Sequence, residues 1–330
     1  MYEHLLLESD QLSVTLLPDK GCDVYALVDR RTGVDVLFKS PWGLRTPPWY
    51  GTTSMERWIE AYPGGWQVLL PNGGDECTYE GAHFGYHGEA AMVRWWVEEH
   101  GASHLTTSVA LTTAPLSMRR EVVVDGPVLR VTETVTNHSP DRFACMWSHH
   151  PAFGAPFIDG SCHLAVGCST VIADDRAPGT LLEPGSRHEW PIVTARDGRR
   201  IDLRRIPPPS EPRALLGYCS DFVEPYFALR NPELRLGVGI RWDAAVFPKA
   251  WLWQEVHSGQ GWPWYKRAYV VAVEPASTIP GQGFENARAK GETGVEFAPN
   301  ESRQVTVEAV VFHDDREVEG IDPGGVLRFA

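Results

Sequence analysis

Short runs of alternating apolar and polar residues recur along the chain and predict β-strands. Between residues 12 and 38, three such runs (LSVTLL, DVYALVD and VDVLF) are separated by turn-forming segments, which is typical of an antiparallel meander. Farther along, VLRVTETVTN (residues 128–137) intersperses Leu129, Val131 and Val135 with Arg and Thr residues. This period of two indicates a half-buried strand in an antiparallel sheet.

Only a few segments depart from the strand pattern. TTSMERWIEAY (residues 52–62) predicts one short helix with Ser54 as its N-cap. GAHFGYHGEAA (residues 81–91) is too rich in glycine and polar residues for a strand and predicts a loop. Residues 172–212 are rich in Pro, Arg and Asp and predict surface loops that include a lid. The remaining runs amount to about fifteen strands or more.

These elements predict both the fold class and the domain organisation. The chain shows no internal repeat, coiled coil, low-complexity tract or clear linker. We therefore expect one all-β domain over residues 1–330, built as a large antiparallel two-sheet β-sandwich with few short helices. The alternative is a pair of smaller jelly rolls.

The composition narrows the classes of protein. A chain of 330 residues that is 43% hydrophobic can bury a substantial core. Its formal charge of -13 and its pI near 5.4 argue against nucleic acid or an anionic membrane as the main partner, because both demand basic surfaces.

The N-terminus and the cysteines indicate where the protein works. MYEHLLLESDQLSVTLL carries acidic residues where a signal peptide has basic ones, and no stretch approaches the roughly 20 apolar residues that span a bilayer. Six scattered cysteines without a CxxC pair indicate reduced thiols rather than disulfides. We expect a soluble cytoplasmic protein, either a monomer or a homodimer.

A tryptophan-rich stretch carries the first candidate chemistry. Residues 241–275 hold five of the thirteen tryptophans, interleaved with polar side chains. Flat apolar rings with a few polar tips suit a sugar, which offers C–H faces for stacking and hydroxyls for hydrogen bonds. Trp253, Gln254 and Trp264 are therefore candidate substrate contacts, and Glu274 is a candidate functional carboxylate where a strand leaves the sheet. The alternative is a core packed with aromatic residues.

Several chemistries lack their sequence signatures. The two histidines of HFGYHGE lie four residues apart in a predicted loop, which disfavours a metal site. No GxSxG elbow, GxGxxG or GxxxxGK[ST] motif occurs, so neither a serine nucleophile nor a nucleotide site is expected. The remaining interpretation is metal-free acid–base catalysis by His and Glu, without a cofactor.

Several short motifs then point to a family. They are the HG pair at residues 87–88, NHS at 137–139, HPAF at 150–153, FPKAWLWQE at 247–255 and VEP at 273–275. With these motifs in this order, the sequence resembles the aldose 1-epimerases of the galactose mutarotase-like superfamily, from about residue 12 to residue 312.

The resemblance implies a fold, an activity and three catalytic residues. The fold would be a twisted two-sheet β-supersandwich that holds a small carbohydrate in an open cleft. His150 would be the general acid that protonates the ring oxygen, and Glu274 the base that takes the proton of the anomeric hydroxyl. His87 would match a second active-site histidine that hydrogen-bonds the sugar. His149 is expected to be structural, because neighbours on a strand face opposite ways.

The sequence departs from that family at two substrate contacts. Where the family commonly has an Asn-Arg pair, this chain has PNGG, which leaves Asn72 as a candidate. The contact made by the family's arginine is then either absent or supplied by Arg57 or Arg94. The family's substrate-binding aspartate has no clean match, and Asp221 is the first candidate, followed by Asp243.

The first functional hypothesis is an isomerase that interconverts the α and β anomers of an aldose or modified aldose. It expects the side chains of His150 and Glu274 to converge on opposite edges of one bound pyranose. The second hypothesis is a non-catalytic carbohydrate-binding protein on the same scaffold. The third is a mutarotase of phosphorylated hexoses, which needs arginines at the cleft.

Overall fold

The computed structural model describes residues 2–177 and 180–330, which form 24 β-strands and two short α-helices. The strands of the first half are β1 (Leu5–Glu8), β2 (Leu12–Leu17), β3 (Asp23–Asp29), β4 (Trp66–Leu69), β5 (Cys77–Tyr79), β6 (Ala82–Phe84), β7 (Trp96–His100), β8 (His104–Ala110), β9 (Leu116–Asp125), β10 (Val128–Asn137), β11 (Phe143–Cys145) and β12 (Ser148–Gly154). Those of the second half are β13 (His163–Ala173), β14 (Arg187–Glu189), β15 (Ile192–Thr194), β16 (Arg200–Asp202), β17 (Arg213–Asn231), β18 (Leu236–Arg241), β19 (Lys249–Val256), β20 (Tyr269–Ala276), β21 (Val295–Phe297), β22 (Ser302–Phe312), β23 (Val318–Asp322) and β24 (Val326–Phe329). The helices are α1 (Ser54–Ala61) and α2 (Phe284–Ala289).

Sixteen strands form one large, nearly closed antiparallel sheet. Its main path runs β1-β2-β3-β4-β12-β20-β19-β17-β18-β22-β10-β9-β8-β7, and β13 and β14 attach beside β17. Four two-stranded sheets lie outside this path among the described residues. The predicted all-β antiparallel fold is confirmed. The main hydrophobic core draws residues from nearly the whole chain, from Leu5 to Val311.

The alternation predicted for residues 128–137 is present in β10. Leu129, Val131 and Val135 are buried in the main core, and β10 pairs with β9 and β22 on its two sides. The same face also carries Glu133, which is fully buried. A strand that reads as simply amphipathic therefore places one carboxylate among apolar neighbours, where it needs partners.

Three local predictions required correction. Helix α1 is capped by Thr53 rather than Ser54, because the Thr53 side chain accepts from the Glu56 amide in a capping box. The loop predicted at residues 81–91 contains the short strand β6, which pairs with β5. Residues 172–212 are not only loops, since β14, β15 and β16 lie within them. These three-residue strands are too short to show a period in the sequence.

Candidate active site

The sheet face opposite the main core carries a second cluster of buried apolar side chains, to which α1 contributes. On β20, Val270 and Ala272 belong to this cluster, whereas Val271 and Val273 belong to the main core. Because successive side chains of a strand point to opposite faces, Glu274 lies on the side of Val270 and Ala272. The carboxylate predicted at a strand end is therefore held within a strand, under α1.

Strand register brings His150 to Glu274. Ser148 pairs with Ala276 and Ala152 with Ala272, which sets the intervening His150 opposite Glu274. His150 Nε2 lies 3.7 Å from Glu274 Oε1. We had expected the two groups to lie on opposite edges of a pyranose, about a sugar ring apart. They are instead direct neighbours. This separation suits a hemiacetal, because its ring oxygen and its hydroxyl oxygen are bonded to the same carbon.

A cavity of about 210 Å³ adjoins the His150–Glu274 pair. Trp251 on β19 pairs across from Glu274 and lines the cavity as well. The aromatic residues of the lining are Trp58, Tyr62, Tyr86, Trp251, Trp253 and Trp264. Besides Glu274, the ionisable lining comprises Asp75 and two histidines, His87 and His150, and none of the lining residues is Lys or Arg. The cavity is therefore aromatic and carries no permanent positive charge.

Burial shifts the acid–base properties of the pair. His150 is 5% exposed and Glu274 is 2% exposed. Burial lowers the pKa of His150 to about 4, with a further lowering by the positive charge of Lys20. Burial also raises the pKa of Glu274 well above its usual value. Both shifts follow from the cost of desolvating a charge, and both favour a neutral imidazole beside a neutral carboxylic acid.

His87 joins the pair with a defined tautomer. Its Nδ1 accepts a hydrogen bond from the Gly74 amide at 2.9 Å, so in the neutral ring the proton is on Nε2. Burial, followed by the charge of His150, lowers the pKa of His87 well below its usual value. The ring centroids of His87 and His150 are 5.7 Å apart. His87 therefore offers an N–H donor at the cavity.

The adjacent His149 faces the opposite way, into the main core. Its Nδ1 accepts from Trp66 Nε1 at 3.0 Å, and its Nε2 lies 3.3 Å from Glu133 Oε2. Glu133 also receives hydrogen bonds from Arg120 and Trp147. Although burial opposes it, His149 and Arg120 lower the pKa of Glu133 to about 2. These contacts tie His149 into a structural network, away from the cavity.

The tryptophans of the predicted sugar site form one wall of the cavity. Trp253 lies 5.8 Å from His150, measured between ring centroids. Trp264, in the loop between β19 and β20, lies 5.7 Å from Trp253 and stacks on Trp42 at 5.2 Å. Trp253 and Trp264 are partly exposed rather than sealed in the core. This wall can take the apolar face of a ligand.

Two other candidates are buried without lining the cavity. Asn72 donates to the backbone carbonyls of Asp75 and Gly85 and accepts from the amide of Phe284, so its amide braces three segments. Gln254 lies between Trp253 and Glu255 on β19, on the core side with Leu252 and Val256, because its neighbours alternate. Neither side chain is brought to the His150–Glu274 pair.

The charged candidates are exposed and lie outside the cavity lining. Asp221 pairs with Arg187 at 2.6 Å, with about half of each side chain or more exposed. Arg57 is exposed and donates to the Gly51 carbonyl from its Nε at 3.1 Å. Arg94 pairs with Asp19, and Asp243 caps a turn by accepting from the Ala245 amide. Their positions reflect local turn and surface contacts that sequence spacing cannot show.

The structure also brings forward residues that the sequence interpretation did not select. Trp58 from α1 and Tyr62, the C-cap residue of α1, line the cavity, as does Asp75 from the PNGGDE segment. Trp58 and Tyr62 are spaced i,i+4 in the predicted helix, a spacing that puts both rings on one face. An aromatic stripe on a short helix was the available signal. Asp75 had no comparable signal, because its position depends on how the loop folds.

The described residues contain neither a cluster of metal ligands nor a helix that could span a membrane. No group of three or more His, Cys, Asp or Glu side chains is arranged to hold a metal ion within residues 2–177 and 180–330. In the same residues, no helix is both long enough and apolar enough to cross a bilayer.

The fold is similar to that of solved structures described as galactose mutarotase-like. The chain is similar to the galactose mutarotase related enzyme from Lactobacillus acidophilus, with a TM-score of 0.69 and 17% identity over 95% of this chain and 99% of that one. It is similar to a galactose mutarotase-like protein from Lactobacillus casei, with a TM-score of 0.67 and 15% identity over 94% and 100%. It is also similar to a galactose mutarotase-like protein from Clostridium acetobutylicum, with a TM-score of 0.67 and 16% identity over 95% of this chain and 96% of that one.

Sequence comparison alone adds no further relative. No protein-family profile and no curated protein matches the chain. At the low identities of the solved structures, the likeness establishes the fold. The fold that the short motifs implied is therefore confirmed, and the chemistry must be argued from the site.

Proposed function

We propose that this protein is a carbohydrate mutarotase, an isomerase that interconverts the anomers of a free aldose. The observation that carries the proposal is the placement of His150 Nε2 at 3.7 Å from Glu274 Oε1, beside an aromatic cavity. Mutarotation needs one group that takes a proton and one that gives a proton at two oxygens on the same carbon. A single His–Glu pair of this geometry meets that need.

The reaction is two proton transfers with one bond broken and remade. The base takes the proton of the anomeric hydroxyl, and the electrons left on that oxygen form the carbonyl. The bond between C1 and the ring oxygen breaks, and the ring oxygen takes a proton from the acid. Rotation about the C1–C2 bond and the reverse transfers close the ring with the other configuration.

His150 and Glu274 exchange these roles between opening and closing. The assignment of His150 as acid and Glu274 as base requires imidazolium beside carboxylate. Before substrate binds, burial favours the arrangement in which the transferable proton is on Glu274 and His150 is neutral, because the neutral pair has no charge to desolvate. In either arrangement the pair holds one transferable proton, so one member can act as the acid and the other as the base. His87 donates a hydrogen bond from Nε2 to a substrate oxygen.

The cavity favours a small neutral sugar. Its volume of about 210 Å³ is below the roughly 300–1,000 Å³ of pockets for drug-sized ligands, so it suits a single ring. Its lining contains neither Lys nor Arg, which disfavours a phosphorylated hexose. Proton transfer by His and Glu needs neither a metal nor a redox cofactor.

Exchange-detected NMR on D-galactose, D-glucose, D-mannose and L-arabinose tests the proposal. We expect the protein to speed exchange between the α and β signals of at least one of these sugars. Glu274→Gln should slow that exchange by roughly 10²- to 10⁴-fold while its far-UV spectrum is unchanged. Saturation transfer to a sugar without faster exchange would instead identify a non-catalytic binding protein.

A further inference from the structure

Tyr62 presents a hydroxyl group that the protein leaves without a partner. The residue is 1% exposed, its side chain lines the cavity, and its Oη makes no hydrogen bond to any described residue. A buried hydroxyl normally finds a partner, because leaving it unpaired costs free energy. Because Tyr62 lines the cavity, a ligand bound there is the remaining candidate partner for this hydroxyl.

The ring of Tyr62 is held in place by its neighbours. It stacks on Trp58 with ring centroids 4.8 Å apart and an interplanar angle of 17°. It meets the His150 ring edge-on at 5.5 Å, and Phe38 lies at 6.4 Å. Its backbone amide donates to Ile59 O at the end of α1. The aromatic contacts fix the ring, so the hydroxyl is not needed to position it.

The chemistry of the phenol suits a donor. Burial, and then the negative charges of Glu274 and Asp23, raise the pKa of Tyr62 well above its usual value. The group therefore keeps its proton at neutral pH and can donate it in a hydrogen bond. Tyr62 and Glu274 both line the cavity.

We propose that Tyr62 is a further catalytic residue, whose O–H donates a hydrogen bond to the anomeric oxygen that the His150–Glu274 pair deprotonates. As the proton leaves that oxygen, negative charge develops on it before the carbonyl forms. A fixed donor in a site of low polarity stabilises such charge more than it stabilises the ground-state hydroxyl. The proton of Tyr62 stays on the phenol throughout. This inference rests on the proposed mutarotase function.

Tyr62→Phe tests the inference, because it removes the oxygen and keeps the ring. Kinetics are measured by exchange NMR on whichever sugar of the panel the wild-type protein exchanges fastest. We expect kcat to fall by roughly 10²-fold, as for the loss of one donor to a developing oxyanion. KM should change much less, because the lost contact acts mainly in the transition state. The urea midpoint of unfolding should equal or exceed that of wild type, since no protein partner is lost.

Tyr226→Phe is the matched control. Tyr226 is a buried tyrosine outside the cavity, in the cluster that packs under β23, and its hydroxyl meets the Val318 carbonyl at 3.5 Å. Both kcat and KM should be unchanged in this variant.

Three results would overturn the inference. The first is a kcat for Tyr62→Phe close to that of wild type. The second is a lower urea midpoint together with lost activity, which would assign a structural role. The third is an unchanged maximal rate with the alkaline limb of the pH profile displaced, which would mean that the phenol bonds Glu274 instead. If wild type exchanges no sugar, the proposed function fails and this inference with it; if wild type is active, only the role of Tyr62 is at stake.

Discussion

Glu274 lies opposite His150 on paired strands, with 3.7 Å between Oε1 and Nε2, and its buried Oε2 has no hydrogen-bond partner within residues 2–177 and 180–330. His149, which faces the opposite way, lies 3.3 Å from Glu133, and both Glu133 oxygens accept hydrogen bonds, one from Arg120 and one from Trp147. The chain therefore contains two His–Glu pairs from adjacent histidines. We call the His149–Glu133 pair saturated, because both of its carboxylate oxygens are hydrogen-bonded, and the His150–Glu274 pair open, because it adjoins the cavity.

The open pair should behave as one catalytic unit. We expect His150→Ala and Glu274→Ala each to lower kcat for anomer exchange by roughly 10²- to 10⁴-fold. The double variant should lose no more than the larger single loss, because groups that act together are not additive. Exposed His138, which bonds Ser117, supplies the control variant His138→Ala. Multiplied losses in the double variant would show that the two residues act in separate steps.

The pH dependence should report a single shared proton. The pair is inactive when it gains a second proton or loses its only one. Because the pKa of His150 is lowered to about 4, kcat/KM should fall on the acidic side only near that pH, as the imidazole is protonated. The alkaline fall should follow ionisation of Glu274, whose pKa is raised. Such limbs belong to the pair as a whole. An acidic limb at the usual histidine pKa, about 6.5, would contradict this account.

The saturated pair should carry stability instead of activity. Glu133→Gln leaves Arg120 buried at 3% exposure without its anion. We expect a loss of about 3–5 kcal/mol in the free energy of unfolding, measured with urea, and little change in kcat. Glu274→Gln, the matched change in the open pair, should leave stability equal or higher, because the buried Oε2 has no hydrogen bond to lose. Equal stability losses in the two variants would remove the distinction between the pairs.

The tryptophan wall should contribute to substrate binding more than to the chemical step. Trp264→Ala removes one ring next to Trp253 and should raise KM roughly tenfold, which corresponds to about 1.4 kcal/mol of lost contact. The value of kcat should change little, because the ring holds no proton. Trp96, 73% exposed on the edge strand β7, gives the control Trp96→Ala. A large fall in kcat with KM unchanged would place Trp264 in the chemical step.

Local patterns in the sequence predicted the elements well and the pockets poorly. The alternation in β10 and the helix at α1 are visible in short windows, because side-chain direction repeats along a strand or helix. The same alternation separates His149 from His150, and Gln254 from Trp253. It could not show which neighbour enters the cavity, because that depends on what covers each face. Asp221 and Arg57 are exposed and contact local partners outside the cavity. The spacing of residues along the sequence shows neither exposure nor such contacts.

By itself, the sequence determined that the chain forms antiparallel strands and that it carries the short motifs HPAF at residues 150–153 and VEP at 273–275. The tertiary structure alone decided that residues 150 and 274 meet across paired strands, that α1 and its C-cap place Trp58 and Tyr62 beside His150, and that Asn72 and Gln254 do not reach the pair. The reason is that strand periodicity is a property of neighbouring residues. Register and covering between distant segments arise only when the whole sheet closes around its core.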